Sequence, residues 1–213
     1  MAYDLQEQEQ LDELKAWWGK YGNLIMVVAI LALVSFAAFN GWRWYQRDQA
    51  EKAAGIYAEL ERAMTARETE RVNTLSGTLT EKYGRTVYGS MAALQAARWS
   101  AQSGDAATAR TRLQWVIEHS NQAEVVSIAR VRLAGVLLDE KNYDEAIKVL
   151  DAASPGVDAA AVADRRGDVL FAQNKLEEAR VAYRDALTKA DAQHPLRQLI
   201  QLKLDALPAT VAS

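Results

Sequence analysis

The 213-residue sequence has no cysteine, three prolines, two histidines and three phenylalanines. With no cysteine it carries no disulfide framework, and that absence suits a reducing or an oxidising compartment equally. Proline occurs only at Pro155, Pro195 and Pro208. The stretches between are rich in Ala, Leu, Arg, Glu and Gln, all strong helix formers. Strand signals are missing, with no sustained Val/Ile/Thr alternation and no Asn-Gly or Asp-Gly hairpin turn. Charge of one sign is also lacking. Residues 46–213 hold 22 basic and 23 acidic side chains, with no basic stripe, which argues against a nucleic-acid ligand. His119 follows Glu118 and His194 precedes Pro195, and neither has a neighbour at metal-ligand spacing, so both are read as solvated cap residues. No phosphate loop, HExxH, nucleophile elbow or EF-hand loop is present. Asp164 and Asp168 lie one helical turn apart and could pair for acid–base work, although carboxylates on a solvated or partner-facing surface explain them as well. No enzyme, cofactor, metal site or small-molecule substrate is expected.

What the chain does have is one long apolar run. Tyr21 to Trp42 is 22 residues without a charged side chain, set between Lys20 and Arg43. As a helix it covers roughly 33 Å, enough for a hydrocarbon core of about 30 Å. Ten of its residues are Leu, Ile, Val or Phe. At about −0.3 to −0.6 kcal/mol each near a helix centre, they favour insertion by roughly 3 to 6 kcal/mol. Trp17, Trp18 and Tyr21 flank one side, and Trp42, Arg43, Trp44 and Tyr45 the other. Amphipathic rings favour the headgroup layer, so these residues are the expected membrane interface.

Two other accounts of this run exist. A cleaved signal peptide has a basic leader and a shorter apolar region. The leader here is acidic, with Asp4, Glu7, Glu9, Asp12 and Glu13 against Lys15 and Lys20. A buried core helix rarely carries aromatic pairs at both ends. An uncleaved anchor in lipid is the expectation. Orientation stays open at this point. Lys15 and Lys20 precede the span, while Arg43, Arg47, Lys52 and Arg62 follow within about 20 residues, a bias toward a cytoplasmic C-terminal domain.

Beyond the span, a small–x3–large–x2–small spacing recurs. It runs Ala146, Leu150, Ala153 after Lys141-Asn142-Tyr143, then Ala179, Tyr183, Ala186 after Asn174-Lys175-Leu176. Upstream, Ala109 and Leu113 follow Gly104-Asp105, with Val116 in the last place. A second helical stretch lies before each turn. The pattern resembles the tetratricopeptide repeat, about 34 residues of antiparallel helix pair. Ala146 and Ala179 are expected where two helices cross closely, with Leu150 and Tyr183 filling the space beside them.

The expected architecture is all-α: an N-terminal transmembrane helix, then a tetratricopeptide-like α-solenoid with a C-terminal capping helix after Pro195. The expected divisions are an acidic tail at 1–20, the span at 21–45, membrane-proximal helices forming a divergent first repeat at 46–84, and repeats plus cap at 85–213. Carrying the repeat register over, the first helix of each pair lines a groove. That places Met91, Leu94 and Arg98 there from the first unit, Ile128, Val131 and Leu138 from the second, and Asp164, Asp168 and Phe171 from the third. Such a surface accepts an extended segment or a helix. The alternatives are that these apolar residues are ordinary core, or that the C-terminal helix fills the groove.

The acidic tail with Trp17-Trp18, the single span closed by Gly41-Trp42-Arg43-Trp44-Tyr45 and the divergent repeats together resemble the YfgM-like proteins of Gram-negative bacteria, ancillary subunits of the Sec translocon. The resemblance spans nearly the whole chain. It implies a single-pass inner-membrane protein with a cytoplasmic N-terminus and periplasmic repeats. It further implies association with the SecYEG channel and with a membrane-anchored periplasmic chaperone of the prolyl-isomerase class, and no catalysis. A scaffold for another envelope complex, in division or outer-membrane assembly, and a cytoplasm-facing adaptor are the alternatives.

Overall fold

The computed structural model describes residues 2–208, with side chains from residue 10 onward. Asp4, Glu7 and Glu9 of the acidic leader lie outside the described side chains. The described residues form nine α-helices and no strand: α1 (Ala2–Thr65), α2 (Thr69–Tyr83), α3 (Val87–Gln102), α4 (Ala106–His119), α5 (Ala123–Asp139), α6 (Tyr143–Asp151), α7 (Ala159–Ala172), α8 (Leu176–Lys189) and α9 (Arg197–Asp205). They divide into two compact units at Gln49/Ala50.

The first unit is the N-terminal part of α1. Leu24, Ile25, Val27, Val28, Ile30, Leu31, Leu33, Val34, Phe36 and Phe39 are all exposed. The apolar run is long enough to cross a membrane, and only 6% of its most hydrophobic window is buried. A core helix hides its apolar side chains, whereas those of this run are exposed among the described residues. Within it the Asn40 amide donates to the Phe36 carbonyl at 2.9 Å.

The second unit stacks helix pairs. Ala53, Tyr57, Leu60 and Ala63 of α1 pack on Val72 and Leu79 of α2 and Ala92 of α3. A larger core joins α3, α4, α5 and α6 through Leu94, Leu113, Val116, Leu133, Leu137 and Leu150. A third joins α7, α8 and α9 through Leu170, Tyr183, Ile200 and Leu207. Ala109, Ala146 and Ala179 have no exposed surface, which is the condition that requires a small side chain at each crossing. Leu113, Leu150 and Tyr183, four residues on, are buried next to them. Gly167 on α7 is the tightest crossing, because a Cβ there would sit 2.4 Å from Cε1 of Tyr183.

The pairs turn in the same way. The helix preceding each turn ends with a residue in the left-handed region: Arg67, Gly104, Lys141 and Asn174, with φ of 59°, 81°, 60° and 60°. At α5 the Lys141 amide donates to the Leu138 carbonyl at 2.9 Å and the Asn142 amide to Leu137 at 2.8 Å. The same two bonds recur after α1, α3 and α7. This is the Schellman closure, which satisfies the last carbonyls of a helix. Asp105 then caps α4, its carboxylate accepting the Thr108 amide at 3.0 Å. Hydrogen bonding from the Thr108 side chain, and then from its amide, holds the Asp105 carboxyl below the usual carboxylate range.

Long-range polar contacts tie neighbouring helices. The Arg112 guanidinium on α4 donates to the Ala96 carbonyl at 2.8 Å, to Ser100 Oγ at 2.9 Å and to Asn73 Oδ1 at 2.8 Å. One side chain thus links α4 to both α3 and α2. Arg110 pairs with Glu145 and Glu140, and Arg166 with Asp151.

Candidate functional site

At the membrane segment the expected interface residues form two aromatic groups. Trp17 lies 6.3 Å from Trp18 and 5.8 Å from Tyr21, ring centre to ring centre. The Lys20 ammonium stands 5.3 Å over the Tyr21 ring. At the other end Trp42 lies 6.2 Å from Tyr45, and the Arg43 guanidinium stands 5.5 Å over Phe39. Trp44 is exposed as well. Each group is a ring cluster with a cation beside it, a composition that suits an apolar body and a wet edge.

The groove residues are less uniform. Met91, Arg98 and Phe171 are exposed on α3 and α7. Ile128, Val131 and Leu138 are half-buried against the α3–α6 core. Leu94, expected in the groove, is instead a core residue with 8% of its surface exposed. The reason is that α3 meets neighbours on several sides, and Ala92, Ala93, Ala96, Ala97 and Ser100 are buried with it.

Asp164 and Asp168 are also taken up internally. Lys203 of α9 donates to both oxygens of Asp164 at 2.9 Å and stands 2.7 Å from Asp168. Asp168 further accepts the Tyr183 hydroxyl at 2.9 Å and the Arg165 guanidinium at 3.0 Å. Burial raises the Asp164 carboxyl above its ordinary range, against the opposing pull of Lys203. Burial, with the carboxylate of Asp168 beside it, also pushes the Tyr183 hydroxyl far upward. The helix after Pro195 therefore occupies the α7 portion of the expected groove. Its Ile200 is fully buried, while Leu199 and Leu202 face outward.

A hollow of about 390 Å³ remains between the first helices of the pairs. Ala97, Arg98, Ala101 and Gln102 of α3 line it, with Arg132, Gly135, Val136 and Asp139 of α5 and Arg165 of α7. Of the nine expected groove positions only Arg98 lines it. Arg132 and Arg165 were not foreseen, although the sequence carries their signal. Arg98, Arg132 and Arg165 recur at spacings of 34 and 33 residues, the period of the repeat. Expectation followed the apolar positions and passed over a charged one.

Neither histidine stands in a chemical site. His119 stacks on Trp115 with ring centres 4.7 Å apart, and His194 Nδ1 accepts the Leu196 amide at 3.2 Å. Among the described residues no group of three or more His, Asp or Glu side chains is placed to hold a metal ion.

Comparison with known proteins accounts for this arrangement. Residues 15–209 match the family described as tetratricopeptide repeat-like domain. The chain is similar to an ancillary SecYEG translocon subunit of Neisseria gonorrhoeae, with 31% identity over 210 residues, 97% of this chain and 100% of the relative. It is also similar to proteins of the same description in Escherichia coli, 26% identical over 94% of this chain and 96% of the relative, and in Aggregatibacter actinomycetemcomitans, 27% identical over 97% and 100%. The uncovered apolar helix, the stacked helix pairs and this end-to-end similarity agree: the chain belongs to the YfgM-like family of ancillary SecYEG translocon subunits.

Proposed function

We propose that this protein is a single-pass inner-membrane adaptor of the Sec translocation machinery. Its N-terminus faces the cytoplasm, and its repeats stand in the periplasm. There they hold a membrane-anchored prolyl-isomerase-type chaperone, emerging secretory chains or both near the channel exit. The role is non-catalytic. Tethering raises the local concentration of a partner, so modest contacts suffice for frequent encounters.

The observation that carries the proposal is the likeness to ancillary SecYEG translocon subunits along essentially the full length of both chains. The exposed apolar run between two aromatic clusters supports the anchor. Copurification of the full-length protein from crosslinked or detergent-solubilised membranes tests it. SecY, SecE or SecG should come down with the bait, and their repeated absence refutes the role. Four basic residues near the C-terminal side of the span against two before it favour a second orientation, with repeats in the cytoplasm. Protease added to spheroplasts separates the two. Digestion of the repeats from outside supports the periplasmic orientation, and protection supports the other.

A further inference from the structure

Several arginines away from the hollow meet a carboxylate, while Arg112 bonds carbonyl, hydroxyl and amide oxygens instead. Arg71 pairs with Glu59 and Glu68, Arg110 with Glu140 and Glu145, Arg166 with Asp151 and Arg180 with Glu177. Among the described residues neither Arg98 nor Arg132 has a carboxylate within ion-pair distance, and the one polar contact of Arg132 is the Leu94 carbonyl at 3.4 Å. Arg165 is anchored by Asp168 through one nitrogen, while its Nε is buried without a hydrogen-bond partner. Three guanidiniums from equivalent positions of α3, α5 and α7 thus share one depression of about 390 Å³. Asp139 is the single carboxylate on the same wall.

Like charges placed together oppose folding unless something of opposite sign offsets them. Arg132 is exposed at its surface, yet partial desolvation of its guanidinium, and then repulsion from Arg98, lowers its proton affinity. Gly135 keeps the floor low. The Arg165 guanidinium lies across it, 3.6 Å from where a Cβ would stand, and a bulky residue there would close the hollow.

We propose that Arg98, Arg132 and Arg165 form a recognition ladder for an extended, acidic polypeptide segment, one guanidinium per repeat receiving aspartate or glutamate side chains. The fork geometry of arginine suits carboxylates. Neighbouring helices lie about 8–10 Å apart, and same-face side chains of an extended chain recur at roughly 6.6 Å, so several carboxylates of one strand fall within reach of successive helices. A lone chain terminus would engage only part of the ladder. A nucleic-acid duplex demands a broad basic surface, and this domain has none. This inference rests on the adaptor role only in taking the groove as partner-facing.

The test uses full-length protein in detergent and a fluorescent peptide of alternating Glu and Ala, blocked at both ends. It is about ten residues long, enough to cross three helices. Fluorescence anisotropy should show saturable binding that weakens with added salt. A Gln-for-Glu peptide should not bind. Arg98→Gln and Arg132→Gln should each weaken binding about tenfold or more, and Arg184→Gln, at an exposed position of α8, should leave it unchanged. Urea midpoints of the two groove variants should equal or exceed the parent, because repulsion is relieved, which separates lost binding from lost folding. The proposal is overturned if Glu and Gln peptides bind alike or not at all, or if the groove variants bind like the parent. It is equally overturned if only a Gln peptide with a free C-terminal carboxylate is captured, or if a DNA oligonucleotide binds as well as the Glu peptide. Failure of the adaptor role is seen separately, as loss of translocon subunits from the parent protein's copurification.

Discussion

Two mid-helix glycines should respond in opposite directions to the same substitution. At Gly167 an added methyl would sit 2.4, 2.5 and 2.9 Å from three ring atoms of Tyr183. Contact at about 3.4 Å or more is ordinary for a Cβ, so the ring must retreat by roughly 1 Å. It has little freedom to do so. Tyr183 is 3% exposed, and its hydroxyl is held by Asp168 at 2.9 Å. Overpacking costs about 1–3 kcal/mol, and weakening a hydrogen bond to a carboxylate costs about 1.5 more. Replacing glycine by alanine in a helix returns about 0.5–1 kcal/mol. Gly167→Ala is therefore expected to destabilise by about 2–3 kcal/mol, lowering the melting temperature by roughly 4–10 °C for a domain of this size. At Gly135 the nearest atom is Cζ of Arg165, 3.6 Å away. Nothing must move, so Gly135→Ala should gain about 0.5–1 kcal/mol from helix propensity alone. Urea titrations followed by far-ultraviolet circular dichroism on both variants measure the pair. A double-mutant cycle with Tyr183→Leu isolates the cause, because a shortened side chain makes room and Gly167→Ala should then lose most of its penalty. A higher midpoint for Gly167→Ala in the parent background, or an equal loss with and without the Tyr183 ring, refutes the steric account.

Other outcomes follow from the same contacts. Lys203→Met leaves Asp164 and Asp168 facing each other without their shared cation, and should cost about 3 kcal/mol. The Asp164 carboxyl is already raised by burial, and loss of Lys203 raises it further. An acid with a raised folded value binds protons more readily folded than unfolded, so stability falls as pH climbs through that window. The gap between parent and Lys203→Met in melting temperature should then widen as pH rises above the ordinary carboxylate range, about 3.9. Lys141→Gly removes a Cβ from a left-handed residue with φ of 60° and should stabilise by about 0.5–1 kcal/mol by chemical denaturation. Arg112→Ala strips bonds from α3 and α2 together and should lower the urea midpoint by the equivalent of about 2 kcal/mol. Alkaline carbonate washing of vesicles should leave the intact protein in the membrane pellet, and its release into the supernatant contradicts the anchor.

Much of this was legible from short-range spacing. The span needed only length and the absence of charge between Lys20 and Arg43. Ala109, Ala146 and Ala179 announced three helix crossings, because a crossing demands a small residue and a nearby large one at a set interval. What escaped depended on contacts between distant segments. Lys203 meets Asp164 from 39 positions away, on a helix whose docking no local pattern specifies. Leu94 was expected in the groove, since an Ala-rich helix shows no sharp apolar stripe to say how much of its circumference is covered. Arg132 was passed over for another reason. Its period was present, but a charged residue without a carboxylate partner becomes conspicuous only once its surroundings are known.

The clasp of Lys203 on α7 also limits how far the array can extend. An additional helix pair following α8 would have to dock where α9 now lies, and would first have to pull that ammonium away from two aspartates. The apolar edge of α7 and α8 is thereby covered by Ile200 and Leu207 instead of being left open to a further pair.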